Sequence, residues 1–301
     1  MRVASLVPSA TESLFALGLG ASVVAVTHEC DWPAEAGALP QITHSEIPDG
    51  LSAAEIDAAV RELTQKGEAI YGLDAEALER LEPDLIVTQA LCAVCAVSYD
   101  DVATLAGRLP VAPGVISLDP ETLQEVLADL GRLARACGVP ERGDLLMGEL
   151  SERLAAVERS AKGAPKPRVA ALEWLDPPFA GGHWVPEMIA LAGGTDAVGK
   201  PGVKSQTVTW DALRSARPDA VVVMPCGLYA EEAAEQALLS ANELRSLGAK
   251  AIWAVDAASS FSRPGPRLVD GIELLAHLFH PDLFEAPDGL AFRRLPELEI
   301  P

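Results

Sequence analysis

Seven short apolar runs, rich in β-branched residues and each followed by turn residues, set the class of fold: VASLV at Val3, SVVAV at Ser22, DLIVT at Asp84, GVISL at Gly114, RVAAL at Arg168, AVVVM at Ala220 and AIWAV at Ala251. They are continuous rather than alternating, the pattern of strands buried on both faces. Helical stretches lie between them, and that alternation predicts α/β architecture with parallel sheets covered on both sides. The first helix is signalled by Ser9 and Glu12 at capping-box spacing, with Gly18 or Gly20 placed to end it.

The middle of the chain breaks this rhythm. Asp119 offers an N-cap and Pro120 a first helical position, and Leu123, Leu127, Leu130, Leu133 and Cys137 follow near helical spacing. After Gly138 and Pro140 a second stripe runs through Leu146, Leu150, Leu154 and Val157. A strand-free stretch between two α/β halves predicts an N-terminal lobe over 1–138, a bridging helix over 139–164 and a C-terminal lobe over 165–301. Two such lobes imply a ligand cleft between them.

Charge narrows the function. With 23 Lys and Arg against 44 Asp and Glu, the formal charge is −21, and such a field repels nucleic acid and anionic membrane surfaces. No window of eighteen apolar residues marks a membrane span. The N-terminus reads as carrying no export signal, and five cysteines in a chain of 301 residues fit reduced thiols. The expectation is therefore a cytoplasmic protein, or a periplasmic or extracellular one if the chain is a processed form.

In open parallel sheets, ligands bind beyond the carboxyl ends of the strands. The unusual residues fall there. His28, Glu29, Cys30 and Trp32 follow SVVAV; Gln89, Cys92 and Cys95 follow DLIVT; Glu173, Trp174, Phe179, His183 and Trp184 follow RVAAL; Cys226 follows AVVVM; Phe261 and Arg263 follow AIWAV. Each has a plainer reading. A lone histidine is more often a hydrogen-bonded loop residue than a ligand, tryptophans usually plug cores, and His277 and His280 suit the end of the last helix or its surface. Cys137, on an apolar stripe, reads as a core thiol. The Cys92–Cys95 pair is open between packing, a redox pair and a site, because zinc sites usually show two such pairs.

The segments LVPSATESLFALGLGASVVAVTHECDWPAEA, LEPDLIVTQ, WLDPPFAGGHWVPEMIALAGG and FSRPGPRLVDGIELLAHLFHPDLF resemble the cobalamin and iron-complex substrate-binding proteins of ABC transporters, the helical-backbone type of periplasmic binding protein. The resemblance runs from Arg2 to about Phe284. It implies two Rossmann-like lobes joined by one long helix, with a corrinoid or ferric chelate held between them. It places the HECDW loop at the ligand, puts Gln89 where cobalamin-binding relatives carry a large aromatic, matches Asp176 to Phe179, and offers Trp210 as a cleft tryptophan. It also implies an ABC permease partner. The acids that would dock on it are not clearly matched, the nearest being Asp100, Asp101 and Asp211.

The leading expectation is thus a non-enzymatic binding protein for cobalamin or a related corrinoid, with Trp174, Phe179, Trp184 and Trp210 as flat apolar contacts bordering the cleft. Anionic ferric chelates suit basic clefts, and the obvious cleft arginines are only Arg263 and Arg267. The alternative is capture of zinc or another thiophilic ion by His28, Cys30, Cys92 and Cys95, or binding of a ferric chelate. A thiol-dependent enzyme using Cys30 or Cys92 ranks last.

Overall fold

The computed structural model describes residues 1–48, 50–89, 99–109 and 112–299. They divide into two compact units, Met1–Pro120 with Val126–Met147, and Glu121–Glu125 with Gly148–Pro301.

The first unit runs β1 (Val3–Ser5), α1 (Pro8–Ala16), β2 (Val23–Ala25), β3 (Thr43–Ser45), α2 (Ala53–Lys66), β4 (Tyr71–Leu73), α3 (Ala75–Leu81), β5 (Leu85–Thr88), α4 (Tyr99–Ala106) and β6 (Gly114–Ser117), followed by α5 (Leu123–Ala136) and α6 (Pro140–Ala161). Its main sheet has the order β2-β1-β5-β6, every pair parallel, and β3 and β4 form a separate antiparallel ribbon. The two-residue period of a strand explains the continuous apolar runs. Val3, Val23, Leu85 and Val87 join Leu14 of α1 and Leu133 of α5 in one core, while Ala4, Ala25 and Ile86 join Leu78 of α3 and Val102 of α4 in another.

Two helix starts differ from expectation. Helix α1 has no side-chain cap: Val7 is the N-cap, Pro8 opens the helix, and Ser9 and Glu12 lie inside it, buried. Proline's fixed φ suits the first helical position without a capping box. Helix α5 starts at Leu123, and its box is Thr122–Glu125: the Thr122 hydroxyl accepts from Glu125 N at 3.3 Å, and the Glu125 carboxylate accepts from Thr122 N at 3.0 Å. Asp119 and Pro120 precede it. Helix α6 belongs to the first unit as far as Met147 and to the second from Gly148. Leu146 packs on a first-unit core, and Leu150 and Val157 are buried. Gly143 lets α6 approach α5, because a Cβ there would lie 2.5 Å from that of Ala134.

The second unit runs β7 (Arg168–Leu175), β8 (Pro178–Ala180), α7 (Val185–Leu191), β9 (Thr195–Asp196), β10 (Gln206–Thr207), α8 (Trp210–Ala216), β11 (Ala220–Val223), α9 (Ala230–Leu239), α10 (Ala241–Ser246), β12 (Ala251–Val255), α11 (Ala257–Ser260), α12 (Leu268–Phe279) and β13 (Phe292–Arg294). Its sheet has the order β10-β8-β7-β11-β12-β13, with β9 also on β7. The strands β7, β11 and β12 are parallel, as expected. The edges are not: β8, β10 and β13 run antiparallel to their neighbours. Only Asp176 and Pro177 separate β7 from β8, too short a link for the crossover that a parallel neighbour needs. One face buries Leu172, Val221, Val223 and Ile252 under α8, α9 and α10, and Val169, Ala171 and Val222 are fully buried as well.

Candidate ligand-binding site

In the first unit the loop after β2 is built on Thr27, whose buried hydroxyl lies 3.1 Å from Cys30 Sγ and accepts from Glu29 N at 3.3 Å. His28 stands in the turn this creates, half-buried. Thr43, the first residue of β3, holds it: Thr43 Oγ1 is 2.7 Å from His28 Nδ1 and accepts from His28 N at 3.1 Å. Tyr71 of β4 stands beside it, with ring centroids 5.5 Å apart, and donates its hydroxyl to Glu29 Oε1 at 3.0 Å. Trp32 is 51% exposed. Gln89, immediately after β5, is buried. His28, Glu29 and Trp32 therefore share one open loop beside Tyr71, whereas Gln89 is enclosed. Thr43 and Tyr71 escaped the sequence reading because they sit on short strands with no motif.

In the second unit Glu173, near the end of β7, is turned inward. One carboxylate oxygen accepts from Gly182 N at 3.0 Å and the other from the Ser205 hydroxyl. Burial pushes its pKa above the ordinary carboxylate range against the pull of these bonds, with Asp196 adding a smaller upward push. The fit leaves no room at Gly182, where a Cβ would lie 2.2 Å from Ser205 N. Glu173 thus ties β7 to two loops, one through each carboxylate oxygen, a structural role that stands beside the ligand contact expected of it. Ser205 is its unforeseen partner, a lone serine in a loop.

His183 follows at φ +49°, a left-handed conformation that costs a non-glycine residue roughly 1–3 kcal/mol. Its backbone exchanges hydrogen bonds with Val203 O and Gly202 N, and its ring stacks on Trp184 at 5.4 Å. Its Nε2 is buried without a hydrogen-bond partner among the described residues, and burial lowers its pKa, with Lys204 acting in the same direction.

The aromatic residues divide. Trp174 and Phe179 are half-buried partners across β7 and β8, and the Trp174 indole N–H closes the turn on Asp176 O at 3.1 Å. Trp184 is 5% exposed and donates its indole N–H to Phe261 O at 2.8 Å, and Phe261 is 2% exposed. These two are core residues here, which corrects the expectation that Trp184 borders a cleft and that Phe261 meets ligand; an indole with its N–H satisfied internally is a packing element. Trp210, first residue of α8, packs partly buried against the core of its own unit. Arg263 is half-buried in the loop after α11.

The expected metal set is not assembled. Cys92 and Cys95 lie outside the described residues. Cys30 is 2% exposed in a hydrophobic core, with the hydroxyls of Thr11 and Thr27 each 3.1 Å from its sulfur. Among the described residues, no group of three His, Cys, Asp or Glu is placed to hold a metal ion. Zinc gains no support. Cys137 is buried, its thiol pKa raised by burial, and Cys226 is exposed. His280 is buried at the end of α12, its Nε2 3.3 Å from Gly193 O, rather than on the surface, while His277, in the last turn, has Nδ1 2.9 Å from Phe284 O in the segment beyond the helix. Asp211 is exposed and ion-paired with Arg214.

Residues 3–250 match the family model described as periplasmic binding protein. The chain belongs to the periplasmic binding protein family. It is 22% identical over 282 residues to the vitamin B12-binding protein of Vibrio cholerae, covering 90% of this chain and 86% of that one. It is 24% identical over 293 residues to an uncharacterized ABC transporter substrate-binding lipoprotein, YvrC, of Bacillus subtilis, covering 94% and 81%. The structure of a periplasmic heme-binding protein from Pseudomonas aeruginosa superposes with a TM-score of 0.68 at 22% identity, covering 94% of this chain and 93% of that one.

A member of this family is a substrate-binding protein of the ABC-transporter type. That overturns the cytoplasmic placement expected from the sequence: the family and these relatives are periplasmic proteins or a lipoprotein. The thiol argument does not decide the compartment, because Cys30 and Cys137 are buried and shielded in any surroundings. Among the described residues, no helix is long and apolar enough to cross a membrane.

Proposed function

We propose that this binding protein takes a corrinoid, cobalamin or a close relative, for delivery to an ABC permease. The observation that carries the reading is the Trp174–Phe179 pair, two rings on one face of a hairpin at the carboxyl end of β7, a flat apolar surface of the kind a macrocycle covers. In the first unit, His28 and Trp32 supply a polar and an aromatic group in the loop after β2; in the second unit, Arg263 lies half-buried in the loop after α11. Glu29 accepts the Tyr71 hydroxyl and shapes that loop.

Charge selects within the ligands of the relatives. The vitamin B12-binding relative and the heme-binding structure both take metal macrocycles, but heme carries carboxylates and a corrinoid's periphery is amide. A chain of charge −21 repels the former at low ionic strength. Heme is the second reading, favoured by the structural match to a heme-binding protein.

The test is co-elution. Protein incubated with cyanocobalamin and passed through a desalting column should carry one equivalent of corrin absorbance. A colourless protein at ligand concentrations of about 100 μM, well above a micromolar Kd (a binding free energy of about −8 kcal/mol), would refute the reading.

A further inference from the structure

We propose that Thr43 is a positioning residue that fixes His28 as a hydrogen-bond donor through Nε2, so that His28 reads an acceptor on the ligand's periphery rather than a metal. The proposal deepens the corrinoid reading and rests on it for the identity of the acceptor, an amide carbonyl. It makes Thr43 a specificity residue.

The available hydrogens fix the direction of each bond. The Thr43 hydroxyl has one proton and two lone pairs. One lone pair is taken by the backbone N–H of His28 at 3.1 Å, which can only donate. Thr43 is 8% exposed, and its proton has no acceptor among the described residues except His28 Nδ1, 2.7 Å away. With the imidazole neutral, the hydroxyl therefore donates to Nδ1, and the ring proton sits on Nε2. The opposite arrangement, Nδ1–H donating to Oγ1, leaves a buried hydroxyl proton unsatisfied, which is disfavoured. When the ring is protonated, both nitrogens carry hydrogen. Nε2 is thus a donor in either state.

A metal ligand at Nε2 would require the disfavoured arrangement, a lone pair on Nε2 with the proton on Nδ1. The surroundings agree with a donor. Nε2 has no hydrogen-bond partner among the described residues and is not among their buried unsatisfied atoms. The loop that carries it is fixed by Thr27, and Tyr71 braces both the ring of His28 and the carboxylate of Glu29. The donor is held in place before a ligand arrives, which lowers the cost of binding.

Two measurements decide it. The first needs no ligand: long-range proton–nitrogen NMR of 15N-histidine-labelled protein at about pH 8.5, above the ordinary imidazole range. His28 should appear as the Nε2–H tautomer in the native protein and in Thr43→Ser, and should move toward a mixture in Thr43→Val. A native Nδ1–H signal, or a Thr43→Val spectrum identical to the native one, overturns the lock. The second is cyanocobalamin affinity. His28→Phe should raise Kd about tenfold, the loss of one hydrogen bond of about 1.4 kcal/mol, and His28→Gln, which keeps an N–H near Nε2, should recover most of it. Equal affinities in all three proteins would overturn the ligand-reading role. Failure of the native protein to bind either cyanocobalamin or hemin would instead overturn the functional reading, and the NMR result would still decide the tautomer.

Discussion

Trp174 and Phe179 oppose one another across the antiparallel pair β7–β8, so their side chains share a face of the hairpin. The indole N–H is committed to Asp176 O at 3.1 Å, and both residues remain half-buried. Trp174 offers ring surface rather than a donor. If the macrocycle rests on this face, Trp174→Ala and Phe179→Ala each weaken cyanocobalamin binding about tenfold or more, since a buried aromatic side chain is worth roughly 1.5–3 kcal/mol. Calorimetric titration of both variants checks this. Native affinity in both would take the hairpin out of the site.

Glu173 makes stability depend on pH in a particular direction. Its folded pKa is raised by burial, so the folded state holds a proton that the unfolded chain releases. The native protein binds more protons, and stability falls as pH rises from the ordinary carboxylate range up to the raised value. Glu173→Gln cannot ionise and lacks this slope. The stability of the native protein minus that of Glu173→Gln should therefore decline from pH 4 to pH 8 in urea titrations, and a difference that grew with pH would contradict the burial of this carboxylate.

Arg153 on α6 is bonded to both Asp270 at 2.6 Å and Glu273 at 2.9 and 2.7 Å on α12, its own side chain 39% exposed. The pair of acids holds its pKa up. Solvent screening limits the gain, and Arg153→Met should cost about 1 kcal/mol. The loss should shrink between 0.05 and 0.5 M salt as screening replaces the guanidinium in separating the two carboxylates. A loss independent of salt would mean that Arg153 acts by packing alone.

The described thiols differ in access. Under native conditions N-ethylmaleimide should modify Cys226 about tenfold faster or more than Cys30 and Cys137, because the first is exposed and the other two are buried, with the pKa of Cys137 raised by burial. Peptide mapping by mass spectrometry reads all three. Labelling of Cys30 at the rate of Cys226 would mean that the loop after β2 opens, and the Thr43 lock with it.

The parallel strands were legible because each is buried on both faces and must be largely apolar, as Ala220–Val223 is throughout and Leu85–Thr88 is except for Thr88. The antiparallel edges were not, since β8 and β10 are three and two residues long and the stretch around Gly181 and Gly182 reads as loop. Helix α6 was legible from its leucine stripe. The start of α5 was misplaced, because Asp119–Pro120 and Thr122–Glu125 are both sound local signals and only the fold chooses between them. For the candidate site, the pattern of strands singled out His28 and Trp174, which the structure leaves half-buried at strand ends, but sequence could not distinguish an exposed tryptophan such as Trp32 from a packed one such as Trp184. Nor could it show that Glu173 spends both oxygens on Gly182 and Ser205. Those are facts of tertiary packing.

A corrinoid-selective site should take cyanocobalamin in preference to an anionic metal macrocycle. Parallel calorimetric titrations with cyanocobalamin and hemin, at 0.05 and 0.5 M salt, test it most directly. One equivalent of cyanocobalamin should bind with a micromolar or lower Kd that salt barely changes, and hemin should bind more weakly, improving as salt screens the charge of −21. Tight hemin binding at low salt with no heat from cyanocobalamin would contradict it.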